Sequence, residues 1–325
     1  MSTVDGRHDR VSFHQQCARK NDGTMMNRRE FSRRAAAAAA WPVLSGRLDA
    51  APVGGVHLGV QTFSFREIAR PGSRDAIEVV LQAMKTCGLD ECELWSPQIE
   101  LAAPAPRGAD PNAARDAMRR WRAATGAAYY EGVRRRCTAA GVTVYAYNYS
   151  FAEHFTDDEI THGFMAARAL GAEVITASTT VRMAKRLVPF VEAHRIPVAV
   201  HNHSQVHDPN EFATPESFSA ALALTPLFRI NLDIGHFTAA GYDALAYLTA
   251  HHDRITNLHL KDRKARQGGN VPWGSGDTPI VPVLHWLKQQ KSPVRAYVEY
   301  EYAGTKGAVA EVSACVGYAT SALGA

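Results

Sequence analysis

Residues 157–201 read DDEITHGFMAARALGAEVITASTTVRMAKRLVPFVEAHRIPVAVH. The first fourteen open with three acids and continue as an amphipathic helix, which Gly171 is placed to stop. Residues 173–177 form a short β-rich run, 181–194 a second helix, and 197–201 a second apolar strand. Helix then strand, twice over with short joints, is the repeating unit of a parallel sheet covered by helices.

The same rhythm extends in both directions. Strands are expected at 56–63, 90–95, 142–147, 173–177, 197–201, 228–232, 255–260 and 294–299. Helical stretches lie between them, including 75–86, 157–170, 181–194, 242–252 and 281–289, and Gly88, Gly141 and Gly171 close helices just ahead of strands. Eight such alternations in roughly 270 residues have the length of a closed (β/α)₈ TIM barrel, a single α/β domain. A doubly wound open sheet would want a glycine-rich phosphate loop after the first strand, and Gln61-Thr62-Phe63-Ser64-Phe65 offers none. One insertion interrupts the rhythm: a Pro/Ala-rich loop over 102–111, then a charged helix over 112–124. It follows a strand C-terminus and so belongs to the face where barrels keep their chemistry.

Residues 1–51 read differently. Arg28-Arg29-Glu30-Phe31 precedes a six-alanine run and Trp41-Pro42-Val43-Leu44, the order of a twin-arginine export signal. The apolar run is far below the ~20 residues needed to span a bilayer, so a leader is expected rather than an anchor. The catalytic domain is then 52–325, periplasmic or secreted, with a basic tail on a cytoplasmic protein as the alternative. Nine Arg or Lys against four Asp or Glu in residues 1–47 account for the formal charge of +4 and leave −1 for the rest. The folded part is therefore not basic, and nucleic acid is not an expected partner. The five cysteines form no CxxC pair; those in the folded part read as buried free thiols.

The polar residues fall where a barrel puts reacting groups. Strand five ends in His201-Asn202-His203, strand six in Asp233-Ile234-Gly235-His236, strand seven in His259-Leu260-Lys261-Asp262 and strand eight in Glu299-Tyr300-Glu301. Carboxylates at such buried ends demand a counter-cation. His201, Asp233, His259 and Glu299, one per consecutive strand, are expected to bind one divalent metal. Mixed nitrogen and oxygen donors favour Mn, Co, Zn or Fe over Mg. Trp95, Tyr147, Asn148 and Trp273 lie at strand ends or face loops and are candidates for binding a small carbohydrate.

Leu232-Asp233-Ile234-Gly235-His236, Leu258-His259-Leu260-Lys261-Asp262, Gly274-Ser275-Gly276-Asp277 and Tyr297-Val298-Glu299-Tyr300 carry a resemblance to the xylose-isomerase-like TIM-barrel superfamily, in its sugar phosphate isomerase/epimerase branch. The resemblance covers 56–319. It implies metal binding by Asp233, His259 and Glu299, and removal of a proton next to a sugar carbonyl. Ketose epimerases of the family place a metal-binding, proton-moving Glu at the end of strand five, where this chain has His201. His-x-His there is similar to inosose-dehydratase-like relatives. Three readings are open: a sugar isomerase or epimerase; a keto-sugar dehydratase or 3-keto-glycoside β-eliminating lyase; and a non-catalytic carbohydrate-binding barrel. Candidate proton-transfer and substrate-polarising groups are Glu299, His203, Lys261 and His236, and Asp262 is either catalytic or a loop anchor. With His201 replacing a carboxylate, a single carboxylate base is expected near the metal. Homo-oligomerisation is left open.

Overall fold

Strand formation follows the apolar runs closely. The computed structural model describes residues 52–69, 75–101 and 110–325. Its strands are β1 Leu58–Gln61, β2 Glu91–Trp95, β3 Thr143–Asn148, β4 Val174–Ala177, β5 Val198–His201, β6 Phe228–Asp233, β7 Ile255–Leu260 and β8 Arg295–Val298. Each pairs in parallel with the next, and β8 pairs with β1, so the sheet closes as the expected (β/α)₈ barrel. β1 is shorter than its apolar run because Thr62–Phe65 winds into a 3₁₀ turn, capped where Gln61 accepts from the Phe63 amide at 2.8 Å.

Ten α-helices lie among the described residues: α1 Ile77–Thr86, α2 Pro111–Ala124, α3 Ala127–Ala139, α4 Asp157–Leu170, α5 Val181–His194, α6 Pro215–Leu222, α7 Ile234–Ala239, α8 Ala244–His251, α9 Ile280–Gln290 and α10 Ala308–Leu323. α4 begins with a reciprocal Thr156–Glu159 capping box and ends at Gly171 with φ 75°. Its Ile160, Phe164 and Ala167 are fully buried against the barrel wall, as are Leu187 and Val191 of α5. Cys87, Cys92, Cys137 and Cys315 are buried free thiols. Among the described residues no helix is long and apolar enough to cross a membrane. The leader expected over 1–51 lies outside the described residues.

Two register shifts set which side chains enter the barrel. β2 and β3 pair Cys92 with Val144 but Glu93 with Ala146, leaving Tyr145 as the extra residue of a bulge. β6 and β7 pair Ile230 with Ile255 but Asn231 with Asn257, leaving Thr256 extra. A one-residue bulge reverses which face later side chains point to. Both shifts bring an asparagine, Asn148 and Asn257, into the barrel interior beside Glu93.

The insertion contains one helix more than the charged stretch suggests, since α3 follows α2 before β3. α2 is tied to the barrel by Arg122, whose Nε and Nη2 donate to the two oxygens of Glu100 at 2.8 Å each. Its Nη1 donates to Glu159 at 3.0 Å, and the guanidinium lies over the rings of Phe155 and Tyr149. All three ionic side chains are buried. Removing the cation strands two carboxylates, and losing one partner of a buried pair costs about 3–5 kcal/mol. Arg122→Met is therefore expected to lower the urea midpoint by that equivalent; an unchanged midpoint would show that the insertion helix is only decoration.

Candidate active site

Residues two apart on a strand share a face, and three of the four strand ends use this. His201 and His203, His259 and Lys261, and Glu299 and Glu301 all line one cavity of about 160 Å³ at the C-terminal mouth. On β6 the chain turns into α7 instead. Asp233 caps that helix, accepting from the His236 amide at 2.7 Å, which brings His236 to the same cavity. Asn202 holds the neighbouring ends together. Its side chain accepts from the Asp233 amide at 2.9 Å and donates to the Asp233 carbonyl at 3.1 Å.

Of the buried polar atoms here, His201 Nδ1 has no hydrogen-bond partner, while Asp233 Oδ2 and Glu299 Oε2 are held by the Lys261 ammonium and His259 Nδ1 faces Glu299 Oε2. Donor atoms of His201, Asp233 and His259 lie within 4.8 Å of one another. Glu299 lies beside this group of three, its Oε2 being 3.1 Å from His259 Nδ1. Two carboxylates buried this close together need counter-charge, which Lys261 supplies in part. The residues present fit a divalent cation.

The two inner histidines differ in charge: burial opposes a charge on His259, yet Glu93 and Glu299 hold its ring well above the usual histidine range. Burial pushes the His201 ring well below the usual histidine range, leaving a neutral imidazole with a lone pair. Burial raises Asp233 to about 6 against the pull of Lys261. It would raise Glu299 as well, but Lys261 and His259 hold that carboxyl well below the usual range. Lys261 Nζ lies 2.9 Å from Asp233, 2.7 Å from Glu299 and 2.6 Å from Glu301. Burial opposes its charge, yet the three carboxylates outweigh burial and keep it an ammonium. Lys261 is thus a buried cation paired to three carboxylates, which sets it apart from the other proton-transfer candidates.

His236 is held neutral, chiefly by burial and then by the nearby positive charge of Lys261. Arg263 Nη1 is 2.5 Å from its Nδ1. A guanidinium only donates, so Nδ1 accepts and Nε2 carries the proton. His203 Nδ1 lies 3.2 Å from the Glu211 carboxylate, an arrangement that orients the ring by its far nitrogen.

Of the expected substrate contacts, Trp95 and Asn148 line the cavity, with Trp95 edge-on to Phe63 at 4.9 Å between centroids. The structure does not bring Tyr147 or Trp273 there. Tyr147 is fully buried and stacks on Tyr149 outside the barrel. Trp273 packs edge-on to Tyr318 and lines a separate cavity of about 400 Å³. Asp262 is the loop anchor, accepting from the amides of Gly274, Gly276 and Thr278 at 2.8, 2.8 and 3.2 Å.

Two carboxylates at the site leave little mark in the sequence. Glu301 lines the cavity beside Glu299, so the expectation of one carboxylate near the donors is corrected to two. It lies past the end of β8, and only the i, i+2 spacing from Glu299 could have signalled it. Glu93, fully buried in the layer beneath, accepts from Gln61 and Asn148 at 2.9 and 3.0 Å on one oxygen. Its other oxygen faces Asn257 at 2.8 Å, His259 Nε2 at 2.9 Å and Asn231 at 3.3 Å. An acid at an inward position of a buried strand is its only trace in the sequence.

Comparison with known proteins places this geometry. No curated protein sequence matches the chain. Solved structures do, at identities where the likeness is one of fold. A sugar phosphate isomerase/epimerase from Parabacteroides distasonis is 15% identical, with TM-score 0.55 over 81% of this chain and 95% of that one. The probable 3-DHS dehydratase AsbF of petrobactin synthesis from Bacillus anthracis is 14% identical, with TM-score 0.56 over 81% and 97%. The IOLI protein, solved with a bound zinc atom, is 13% identical, with TM-score 0.58 over 82% and 98%. The family model described as xylose isomerase-like TIM barrel matches residues 56–315, the whole barrel from β1 into α10. This chain belongs to the xylose-isomerase-like TIM-barrel family.

Proposed function

We propose that the chain is a divalent-metal-dependent carbohydrate enzyme of the isomerase/epimerase type, removing a proton from the carbon next to a sugar carbonyl. The observation that carries this reading is the clustering of His201, Asp233 and His259, with Glu299 beside them, next to a cavity that also holds proton-transfer groups. A divalent ion held there would act as a Lewis acid on the carbonyl and its neighbouring hydroxyl.

The chain's own residues supply the rest. Glu301, next outward from Glu299 and paired with Lys261, is the carboxylate assigned to take the proton. Lys261 stays cationic and stabilises negative charge that develops on substrate oxygen. His236 presents Nε2–H as a neutral donor to a substrate oxygen. His203, backed by Glu211, comes from β5, three strands around the ring from β8, and can return a proton from another side. Trp95 and Phe63 give the apolar wall against which C–H faces of a sugar pack.

β-Elimination from a keto-sugar or 3-keto-glycoside is the second reading. The His203–Glu211 pair favours it, because an oriented imidazole suits delivery of a proton to a departing oxygen. Export is proposed separately on Arg28, Arg29 and Phe31 ahead of the alanine run.

Elemental analysis should find one Mn, Co, Zn or Fe per chain, lost in Asp233→Ala and His259→Ala; undiminished metal in both variants would sink the ligand set. Glu301→Gln should keep its metal while turnover of keto-sugars falls about 10²–10⁴-fold, whereas full activity would remove Glu301 from proton transfer. Mass spectrometry of products formed in deuterated water separates the readings. Isomerisation or epimerisation gives a product of substrate mass plus incorporated deuterium, and elimination gives a lighter one. Arg28→Lys with Arg29→Lys should leave the precursor in the cytoplasm on fractionation, and an unchanged distribution would count against export.

A further inference from the structure

Glu93 is a fully enclosed carboxylate at the site, and the proposed chemistry does not use it. It sits in β2, on the far side of the His259 ring from Glu299. Five side-chain nitrogens, from β1, β3, β6 and two residues of β7, surround its two oxygens. Such convergence far exceeds what capping a strand requires.

Its contact with His259 decides a chemical question. Glu93 Oε2 is 2.9 Å from His259 Nε2, while Asn231 Nδ2 is 3.0 Å from the same nitrogen. The two neighbours ask for opposite tautomers. A carboxylate needs Nε2 to carry the proton, whereas an amide nitrogen, which only donates, needs Nε2 bare. A charge-assisted hydrogen bond is roughly twice as strong as a neutral one, so the carboxylate wins. Asn231 then turns its hydrogen to Glu93 Oε2, 3.3 Å away, while its own oxygen accepts from Asn257 at 3.1 Å. With Nε2 protonated, Nδ1 is the nitrogen left to face Glu299 Oε2, 3.1 Å away, and to give a lone pair to a metal that displaces its proton.

We propose that Glu93 is a positioning residue that fixes His259 as the Nε2–H tautomer and so makes Nδ1 the metal-binding atom, against a built-in competitor, Asn231. Carboxylates that orient metal-bound histidines in this way tune affinity by about 10–100-fold. The proposal rests on the metal-dependent reading above. Without the carboxylate, the Asn231 amide becomes a donor to Nε2, and the proton moves to the nitrogen that should bind metal.

The test is zinc titration calorimetry on the full chain together with ¹⁵N-histidine NMR of the zinc-loaded protein. Wild type should bind zinc through Nδ1 of His259, with its proton on Nε2. Glu93→Gln and the shorter Glu93→Asp should each bind zinc about 10–100-fold more weakly, while Asp retains the charge and the wild-type tautomer more fully than Gln. Their circular dichroism should match wild type. If Glu93→Gln does not fold, Glu93→Asp and the wild-type spectrum still decide. Zinc bound through Nε2 in wild type, or affinities within twofold of wild type in a folded variant, overturns the proposal and leaves metal dependence standing. Wild type that takes up neither zinc nor manganese removes the metal-dependent reading, and this proposal with it.

Discussion

The mouth of this barrel is organised by the cost of burying carboxylates. Glu93 and Asp233 are fully enclosed and Glu299 nearly so. Each forfeits hydration worth several kcal/mol unless something inside replaces the water. The barrel does this in two layers. Below, Glu93 is met by nitrogen donors from four strands. Above, Asp233 and Glu299 face the Lys261 ammonium, and Glu299 also faces His259 Nδ1. His259 has one ring nitrogen in each layer, so the orientation of a single side chain couples them.

This layering depends on strand phase. In a closed barrel only alternate residues point inward, and one slipped residue sends a polar group into the helix layer. The bulges at Tyr145 and Thr256 correct the phase of β3 and β7, so that Asn148 and Asn257 reach Glu93. At the strand tops the same period of two stacks a proton-bearing group over an inner donor on β5, β7 and β8. Chemistry and scaffold thus obey one geometric rule, applied at successive heights.

The same rule decides what was legible in the sequence. The eight strands were legible because buried parallel strands are continuous apolar runs. The four candidate donors stood out because His, Asp and Glu end those runs abruptly. Glu93 was not, since an acid within a run ordinarily reads as a solvent-facing position, and its amide partners lie on four other strands. Tyr147 was misplaced because the bulge that sets the phase of β3 leaves no mark in composition. Trp273 was misplaced because a long loop sets its direction, and loop paths carry no periodicity. Glu301 lies one step beyond the strand, where the apolar pattern has already ended.

His201 takes its meaning from charge. With histidine on β5, the proposed inner donors carry two negative charges, from Asp233 and Glu299, which one divalent ion would balance. Lys261 and Glu301, 2.6 Å apart, balance each other one level outward. A carboxylate at position 201 would add a third negative charge to a closed, dry inner ring, and at several kcal/mol for each buried ion that addition would need its own compensation. Imidazole offers a donor atom without the charge, and burial keeps it neutral. In the proposed mechanism the proton-moving role that the resemblance assigns to the strand-five carboxylate therefore passes outward, to Glu301 and His203. Both stay partly open to solvent, at the outer edge of the site.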